Sequence, residues 1–173
     1  MAQLIVLSGF PGTGKSEVAD AIGRARRAPV LAVDPIESAI LEAGIEASFE
    51  TGLAAYVVAE RVADACLAAG LDVVIDAVNS VDPARDMWRR LAARHEARLR
   101  IIECVLADED LHRTRLGSRD RGLRLAEPTW IDVERRRDEW SPWPEPHLTL
   151  DAAEPIERIV ARALSYLDDG AGS

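Results

Sequence analysis

The stretch QLIVLSGFPGTGKS, residues 3–16, decides the fold of this protein. A continuous apolar run is followed by a glycine-rich turn that ends in Lys15 and Ser16, where a helical pattern begins. An apolar run without alternation is typical of a strand buried on both faces of a parallel sheet. The pattern Gly-x-x-x-x-Gly-Lys-Ser between a strand and a helix is the phosphate-binding loop, or P-loop. The stretch therefore predicts an α/β fold and a nucleoside triphosphate site.

The chemistry of the loop assigns roles to its residues. The glycines let successive backbone N–H groups point at one anion, which the N-terminus of the next helix also faces. Lys15 brings a compact charge to the β- and γ-phosphates and is a catalytic candidate, while Ser16 offers a hydroxyl to Mg²⁺. The predicted nucleotide-binding residues of the loop are Gly9, Phe10, Pro11, Gly12, Thr13, Gly14, Lys15 and Ser16.

Lys15 is the single lysine among 21 basic residues, the others being arginines. Such an arginine bias is common in proteins from GC-rich genomes, so the exception at position 15 is more informative than the bias. A planar guanidinium would not replace the compact ammonium equally well in the loop. The formal charge of −9 disfavours broad binding to nucleic acid.

Composition and length exclude several classes of protein. A chain of 173 residues with 48% hydrophobic residues can bury one sizeable core and is not disordered. No apolar run reaches the roughly 18–20 residues that span a membrane, and the first residues lack the pattern of a signal peptide. Cys66 and Cys104 lack CxxC spacing, which favours buried thiols over a disulfide or zinc site. We therefore expect a cytoplasmic protein without membrane contact.

Strand and helix patterns alternate along the chain, which predicts a parallel sheet with helices on both faces. Asp82 is the predicted N-cap of a helix with Pro83 in its first turn, and the tail 168–173 is expected to fray. Strands are predicted over residues 3–8, 30–33, 72–76, 99–106 and 147–150, and helices over 15–24, 36–43, 51–69, 82–97, 108–118, 128–139 and 154–167.

Two predicted strands end in aspartate, at Asp34 and Asp76. Ligands gather at the carboxyl ends of parallel strands, so both carboxylates are expected near the γ-phosphate. Asp76 would hold Mg²⁺ together with Ser16, and Asp34 would accept the proton of an attacking hydroxyl. The alternative for each aspartate is helix N-capping. Asn79 fits either a contact with substrate or metal, or a turn.

Residues 111–125 contain five arginines and one acid. Arg115 and Arg119 are four residues apart, which on a helix places them on one face. Guanidinium groups over a triphosphate offset the charge that develops during phosphoryl transfer. The alternative is a solvated basic surface, the role we expect for Arg89, Arg90 and residues 135–137.

The chain resembles the small P-loop phosphotransferases that include chloramphenicol phosphotransferase, and more distantly the zeta toxins and polynucleotide 5′-kinases, within the AAA-type ATP-binding domains. The resemblance is carried by GFPGTGKS, VLAVDPIESAI, DVVIDAVNSVDPARDMWRRLAAR and HRTRLGSRDRG, over about residues 3–125. It implies one P-loop kinase domain over residues 1–173, a three-layer sandwich with a five-stranded parallel sheet of order 2-3-1-4-5, and an arginine-rich lid at about 111–127. It also implies that Asp34 is the base and that lid residues Arg119, Arg121 and Arg115 contact the nucleotide, Arg119 as the catalytic one.

One position departs from the polynucleotide-kinase pattern. Those relatives carry an arginine about one turn after the catalytic aspartate, and here that position is Glu37. Residues 34–76 contain nine acids and one base, so a polyanionic acceptor would be repelled. Alternatively, the glutamates of this segment are solvated positions far from the site. They are Glu42, Glu46, Glu50 and Glu60.

These observations predict an ATP- and Mg²⁺-dependent kinase that phosphorylates a hydroxyl of a small neutral or cationic molecule. The alternatives are a polynucleotide 5′-hydroxyl kinase, and a nucleotide-binding switch module with weak ATPase activity. The sequence carries no signal for the oligomeric state. Five aromatic residues either line the acceptor cleft or pack in the core: Tyr56, Trp88, Trp130, Trp140 and Trp143.

Overall fold

The structure is a computed structural model that describes residues 1–169. Its sheet has five parallel strands in the order β2-β3-β1-β4-β5, as predicted. The central strand β1 is buried along its whole length, which explains its unbroken apolar sequence. The strands are β1 (Gln3–Ser8), β2 (Val30–Ala32), β3 (Val73–Asp76), β4 (Arg98–Val105) and β5 (Leu148–Asp151).

Helices cover both faces of the sheet and bury two separate cores. Because strand side chains alternate between faces, Leu4 and Val6 of β1 belong to one core, while Ile5 and Leu7 belong to the other. The helices are α1 (Lys15–Arg26), α2 (Val33–Glu42), α3 (Phe49–Ala68), α4 (Asp82–Arg94), α5 (Glu109–Gly117), α6 (Trp130–Asp138) and α7 (Ile156–Asp168).

The core beneath α3 depends on small residues at helical spacing. Ala55, Ala59 and Ala63 recur every four residues and are fully buried, so α3 lies close to the sheet. Trp88 of α4 fills the space beside them and is also fully buried. Trp143 completes this core and donates a hydrogen bond from Nε1 to Ser8 Oγ at 3.1 Å, which fixes the chain before β5.

Several predicted boundaries differ from the observed ones by a few residues, and three of the differences have a clear structural reason. Val33 belongs to α2 and not to a strand, because β2 pairs with β3 only as far as Ala32. Asp82 is the first residue of α4 and not its N-cap, which is Val81. Helix α4 ends at Arg94 and not at residue 97, since Glu96 adopts a left-handed backbone with φ of 51°.

The last helix, α7, extends into the tail that was expected to fray. Asp168 is still part of α7, whereas residues 170–173 of the tail expected to fray lie outside the described residues. Within residues 1–169 no helix combines the length and the apolar character needed to cross a bilayer. Both cysteines are free thiols, with Cys104 buried and Cys66 half-buried.

Candidate nucleotide and acceptor site

The P-loop connects β1 to α1 through glycines whose backbone conformations other residues rarely adopt. Gly9 has φ of +147°, and a Cβ there would lie 2.3 Å from the Cys104 carbonyl oxygen. Gly14 has φ of 73° and immediately precedes α1. The N–H groups of Glu17 and Val18 donate to the Gly14 carbonyl, so within residues 1–169 those of Lys15 and Ser16 are the ones in the first turn of α1 that have no backbone acceptor and can face an anion.

Part of the loop holds its own shape and does not face the cavity. The N–H of Gly9 donates to the Val78 carbonyl and that of Thr13 to the Phe10 carbonyl, both at 3.3 Å. These two backbone N–H groups therefore already have acceptors within the chain. The carbonyl of Pro11 lies 2.6 Å from Nε2 of the buried His112.

Two side chains of the loop make intramolecular contacts. Thr13 Oγ1 donates to the Phe10 carbonyl at 2.8 Å. The Phe10 ring packs against Trp140 with ring centroids 4.7 Å apart. The side chains of these residues therefore brace the loop, and the loop residues that line the cavity are Gly12, Gly14, Lys15 and Ser16.

A cavity of about 740 Å³, which we call the nucleotide cavity, lies over the loop and is wide enough for a nucleotide. It brings together the loop, the first turn of α1, the three predicted arginines and the segment after β5. Its lining residues are Gly12, Gly14, Lys15, Ser16, Glu17, Val18, Arg115, Arg119, Arg121, Ala152, Ala153, Glu154, Pro155, Ile156 and Ile159.

The segment after β5 was not predicted to be part of the site. Arg115 Nη1 donates to the Ala152 carbonyl at 3.0 Å, which joins α5 to this segment. The rule that ligands gather at the carboxyl ends of strands applies to β5 as well, so it could have indicated residues 152–156.

The helical spacing predicted for two arginines does not hold. Helix α5 ends at Gly117, so Arg115 is helical whereas Arg119 lies in the irregular segment beyond it. Both side chains nevertheless line the nucleotide cavity. They reach it because the chain turns after α5, not because they share a helix face.

A smaller cavity of about 220 Å³ adjoins the first and contains both predicted aspartates. Lys15, Ser16, Asp34, Asp76 and Arg121 all line it. Neither aspartate is a helix N-cap, because Asp76 ends β3 and Asp34 is the second residue of α2.

This cavity fits a magnesium ion. Oδ1 of the buried Asp76 has no hydrogen-bond partner in the described part of the chain, which is unusual for a carboxylate. Ser16 lines the same cavity. Mg²⁺ commonly takes one or two protein oxygens and completes its shell with phosphate and water.

The charges around Asp34 keep it ionised. Burial is the largest single influence and raises the pKa of this carboxyl. Lys15, the hydrogen bond from Arg121 and the more distant Arg119 act in the opposite direction and together lower the pKa below its ordinary value. Arg121 Nη1 lies 2.5 Å from Asp34 Oδ2.

Glu127 holds two of the site arginines in place through ion pairs, and its sequence pattern gave no sign of this role. It forms ion pairs with Arg121 at 3.2 Å and with Arg119 at 3.7 Å. Burial, together with the neighbouring Arg121, lowers the pKa of Arg119, although a guanidinium stays charged in proteins. Arg119 lines the cavity over the loop, and its Nη1 is buried without a hydrogen-bond partner among residues 1–169.

A third cavity, of about 470 Å³, opens on the other side of Asp34. We call it the acceptor cavity, and it lies between α2, α3, the start of α4 and α6. Its lining residues are Val33, Asp34, Glu37, Ser48, Phe49, Gly52, Leu53, Tyr56, Val78, Ser80, Val81, Pro83, Ala84, Met87 and Arg136.

The comparisons with known proteins agree with this architecture. Residues 4–137 match a family model described as an AAA domain. The chain belongs to this AAA-domain family. A search of curated protein sequences finds no match to the AAA-domain chain.

Several solved structures share the fold of this AAA domain. A candidate kinase from Chloroflexus aurantiacus has a TM-score of 0.78 and 22% identity, over 95% of this chain and 98% of that one. The APS kinase of Mycobacterium tuberculosis, solved with AMPPNP and APS, has a TM-score of 0.73 and 20% identity, over 97% and 98% of the two chains. A gluconokinase from Sinorhizobium meliloti has a TM-score of 0.69 and 20% identity, over 95% and 91%. These similarities confirm the fold.

Asn79 has a structural role in the AAA domain. Its Nδ2 donates to the Leu7 carbonyl at 2.8 Å, and its Oδ1 accepts a hydrogen bond from Trp88 Nε1 at 2.9 Å. Its carbonyl accepts from Arg85 Nε at 2.8 Å. The side chain is fully buried and φ is 53°, so Asn79 forms the turn that the sequence left open as one alternative.

The remaining acidic and aromatic candidates fall into residues that line the acceptor cavity and residues that do not. The glutamates at positions 42, 46, 50 and 60 do not line the acceptor cavity, so the acidity there comes from Asp34 and Glu37. Of the five aromatic candidates only Tyr56 lines it. Arg136, expected to be an ordinary solvated residue, lines the cavity as well, and its helical pattern gave no sign of this.

Proposed function

We propose that this AAA-domain protein is an ATP- and Mg²⁺-dependent phosphotransferase that moves the γ-phosphate to a hydroxyl of a small neutral or cationic molecule in the cytoplasm. The observation that carries the proposal is the position of Asp34. Its carboxylate lines both the small cavity with Lys15, Ser16 and Asp76, and the acceptor cavity. One residue therefore faces both reaction partners.

The proposed reaction uses these residues as follows. Asp34 accepts the proton of the acceptor hydroxyl while that oxygen bonds to the γ-phosphorus and the bond to the β-phosphate oxygen breaks, leaving ADP. Lys15 and the N–H groups at the start of α1 bind the β- and γ-phosphates. Arg119 and Arg121 stabilise the charge that develops on the transferring group.

Ser16 and Asp76 would hold Mg²⁺, which neutralises phosphate charge when bound. Arg115 would contact the nucleotide from α5, close to the segment after β5. The arginine-rich residues 111–127 form the lid of a single P-loop kinase domain in this proposal. Enclosing the phosphates with these arginines excludes water and limits wasteful hydrolysis.

The similarity to structures named APS kinase and gluconokinase supports transfer to a small molecule. Kinship with chloramphenicol phosphotransferase remains a prediction from the sequence. Glu37 in the acceptor cavity argues against the polynucleotide 5′-kinase alternative, because a phosphate-bearing acceptor would meet a carboxylate there. The switch-module alternative leaves the acceptor cavity and its contact with Asp34 unexplained.

The proposal is tested by measuring ADP release with ATP and Mg²⁺ across a panel of compounds. The panel contains sugars, polyols, apolar alcohols, amino alcohols and a 5′-hydroxyl oligonucleotide. We expect at least one small alcohol to accelerate ADP release and to yield a phosphate ester in ³¹P NMR spectra, and Lys15→Ala to abolish both signals. Acceleration by the oligonucleotide alone would establish the polynucleotide kinase instead. Slow hydrolysis that no compound accelerates would establish the switch module.

A further inference from the structure

The walls of the acceptor cavity are mainly apolar. Phe49, Leu53, Val81 and Met87 line it, and the first three are among the exposed large hydrophobic residues of the protein. A sugar or polyol bound here would exchange hydrogen bonds with water for contacts with hydrocarbon, which is unfavourable. The volume of about 470 Å³ falls in the range of organic ligand sites. The cavity therefore suits an acceptor with a hydrocarbon body.

Glu37 is the acidic group of this cavity that is not already paired with an arginine. Asp34 is neutralised by Arg121, whereas Glu37 forms no ion pair among residues 1–169. Its Oε1 is 3.0 Å from Thr51 Oγ1, but that hydroxyl also lies 2.8 Å from the Ser48 carbonyl, and its single proton serves both. A carboxylate has about four acceptor positions, so most of those on Glu37 are open to a ligand.

Glu37 lines the acceptor cavity together with Asp34, so a ligand in the cavity can reach it. Its carboxylate lies against Gly52 of α3, where an added Cβ would be in ordinary van der Waals contact with Oε1 at 3.6 Å. Asp34 and Glu37 are three residues apart on α2, so their Cβ atoms are about 5–6 Å apart on one helix face. A ligand whose hydroxyl meets Asp34 would thus place a group several bonds away beside Glu37.

We propose that the acceptor is an amino alcohol with an apolar hydrocarbon body, whose hydroxyl faces Asp34 and whose protonated amine binds Glu37. The inference rests on the proposed function and narrows its acceptor class. Arg136 lines the same cavity from α6 and repels a cation, so the amine belongs on the α2–α3 side, where the negative charge is. Glu37 is then the residue that determines acceptor specificity.

Three matched ligands test the charge preference: trans-4-aminocyclohexanol, trans-4-methylcyclohexanol and trans-4-hydroxycyclohexanecarboxylate. Their rings and hydroxyls are alike. The second group is a cation, a neutral methyl group of similar size, or an anion. Binding to the whole protein is measured by ligand-observed NMR at neutral pH. We expect the amine to bind about tenfold more tightly than the methyl compound, and the carboxylate to bind most weakly. Equal binding of the amine and methyl compounds, a preference for the carboxylate, or no binding of any of the three would overturn the inference.

Four variants assign the preference to one residue. Glu37→Gln should reduce the ratio of amine to methyl affinity to near one, and Glu37→Asp should restore part of it. Arg136→Gln should increase the ratio, because it removes a repelling cation. Glu42→Gln, on the same helix but outside the cavity, is the matched control and should leave the ratio unchanged. A ratio that survives Glu37→Gln would overturn the assignment.

The binding test separates failure of this inference from failure of the proposed function. Selective binding of the amine without transfer to any alcohol would contradict the phosphotransferase and leave the ligand class of the cavity standing. Transfer to alcohols with no preference for an amine would support the phosphotransferase and overturn the amino-alcohol acceptor.

Discussion

Replacing Asn79 by alanine should destabilise the protein strongly, although this residue contacts no predicted ligand. The change removes the acceptor of Trp88 Nε1 and the donor to the Leu7 carbonyl, both in buried surroundings. Each loss costs about 1 kcal/mol or more, and alanine at φ of 53° adds roughly 1 kcal/mol of backbone strain. The free energy of unfolding should therefore fall by at least about 3 kcal/mol, a large share of the roughly 5–15 kcal/mol typical of a domain.

Urea unfolding followed by tryptophan fluorescence measures this loss, because the environment of the buried Trp88 changes on unfolding. The companion variant Asn79→Gly loses the same hydrogen bonds without the left-handed strain, so it should be about 1 kcal/mol more stable than Asn79→Ala. A loss below about 1 kcal/mol for the alanine variant, or a glycine variant less stable than the alanine one, would refute the structural role of Asn79.

Three further predictions follow from single residues. Gly9→Ala should lower the free energy of unfolding by roughly 2–6 kcal/mol, because the added Cβ would meet the Cys104 carbonyl and φ is positive. Gly117→Ala has open space around the added Cβ and should raise the free energy of unfolding by up to about 1 kcal/mol. Equal urea midpoints for the two variants would contradict this contrast. Burial raises the pKa of Cys104 to about 12, so at pH 8 a thiol reagent should modify the native protein only at Cys66. Rapid modification of both cysteines in the native protein would contradict this. The pKa of Asp34 lies below its ordinary value of about 4, so Asp34 is ionised above that pH. The transfer rate should therefore show no acidic limb from this group between pH 8 and about 5. An acidic limb near pH 6 whose midpoint shifts in Asp34→Glu would contradict this.

The sheet order and the P-loop could be predicted because their signals are local or carried by a family motif. Gln3–Ser8 is both a predicted and an observed strand, since complete burial leaves an unbroken apolar run. The boundary at Val33 could not be predicted, because an apolar residue before Asp34 fits a strand and a helix equally well. There the register with β3 decides, and register is a property of the assembled sheet.

The sequence named several residues that lie beside these cavities but did not show how they come together. Lys15, Asp34, Asp76 and the arginines at positions 115, 119 and 121 each line a cavity, while their roles remain predictions. Arg136 and Glu127 were missed because an arginine or glutamate in a polar segment looks the same whether it faces solvent or a cavity. Only the packing of α6 and of the segment after α5 distinguishes the two environments.

Single-turnover phosphoryl transfer by the Asp34→Asn variant tests the central claim, that one carboxylate serves both the nucleotide and the acceptor. Asparagine keeps the size and polarity of the side chain, and Arg121 keeps Glu127 as a partner, so the variant should fold and bind AMPPNP with nearly unchanged affinity. Loss of the general base should slow transfer to the best acceptor by about 10²–10⁴-fold. Asp64→Asn, which removes a surface partner of Arg94, is the control and should transfer at the normal rate. A normal transfer rate in Asp34→Asn would contradict the account.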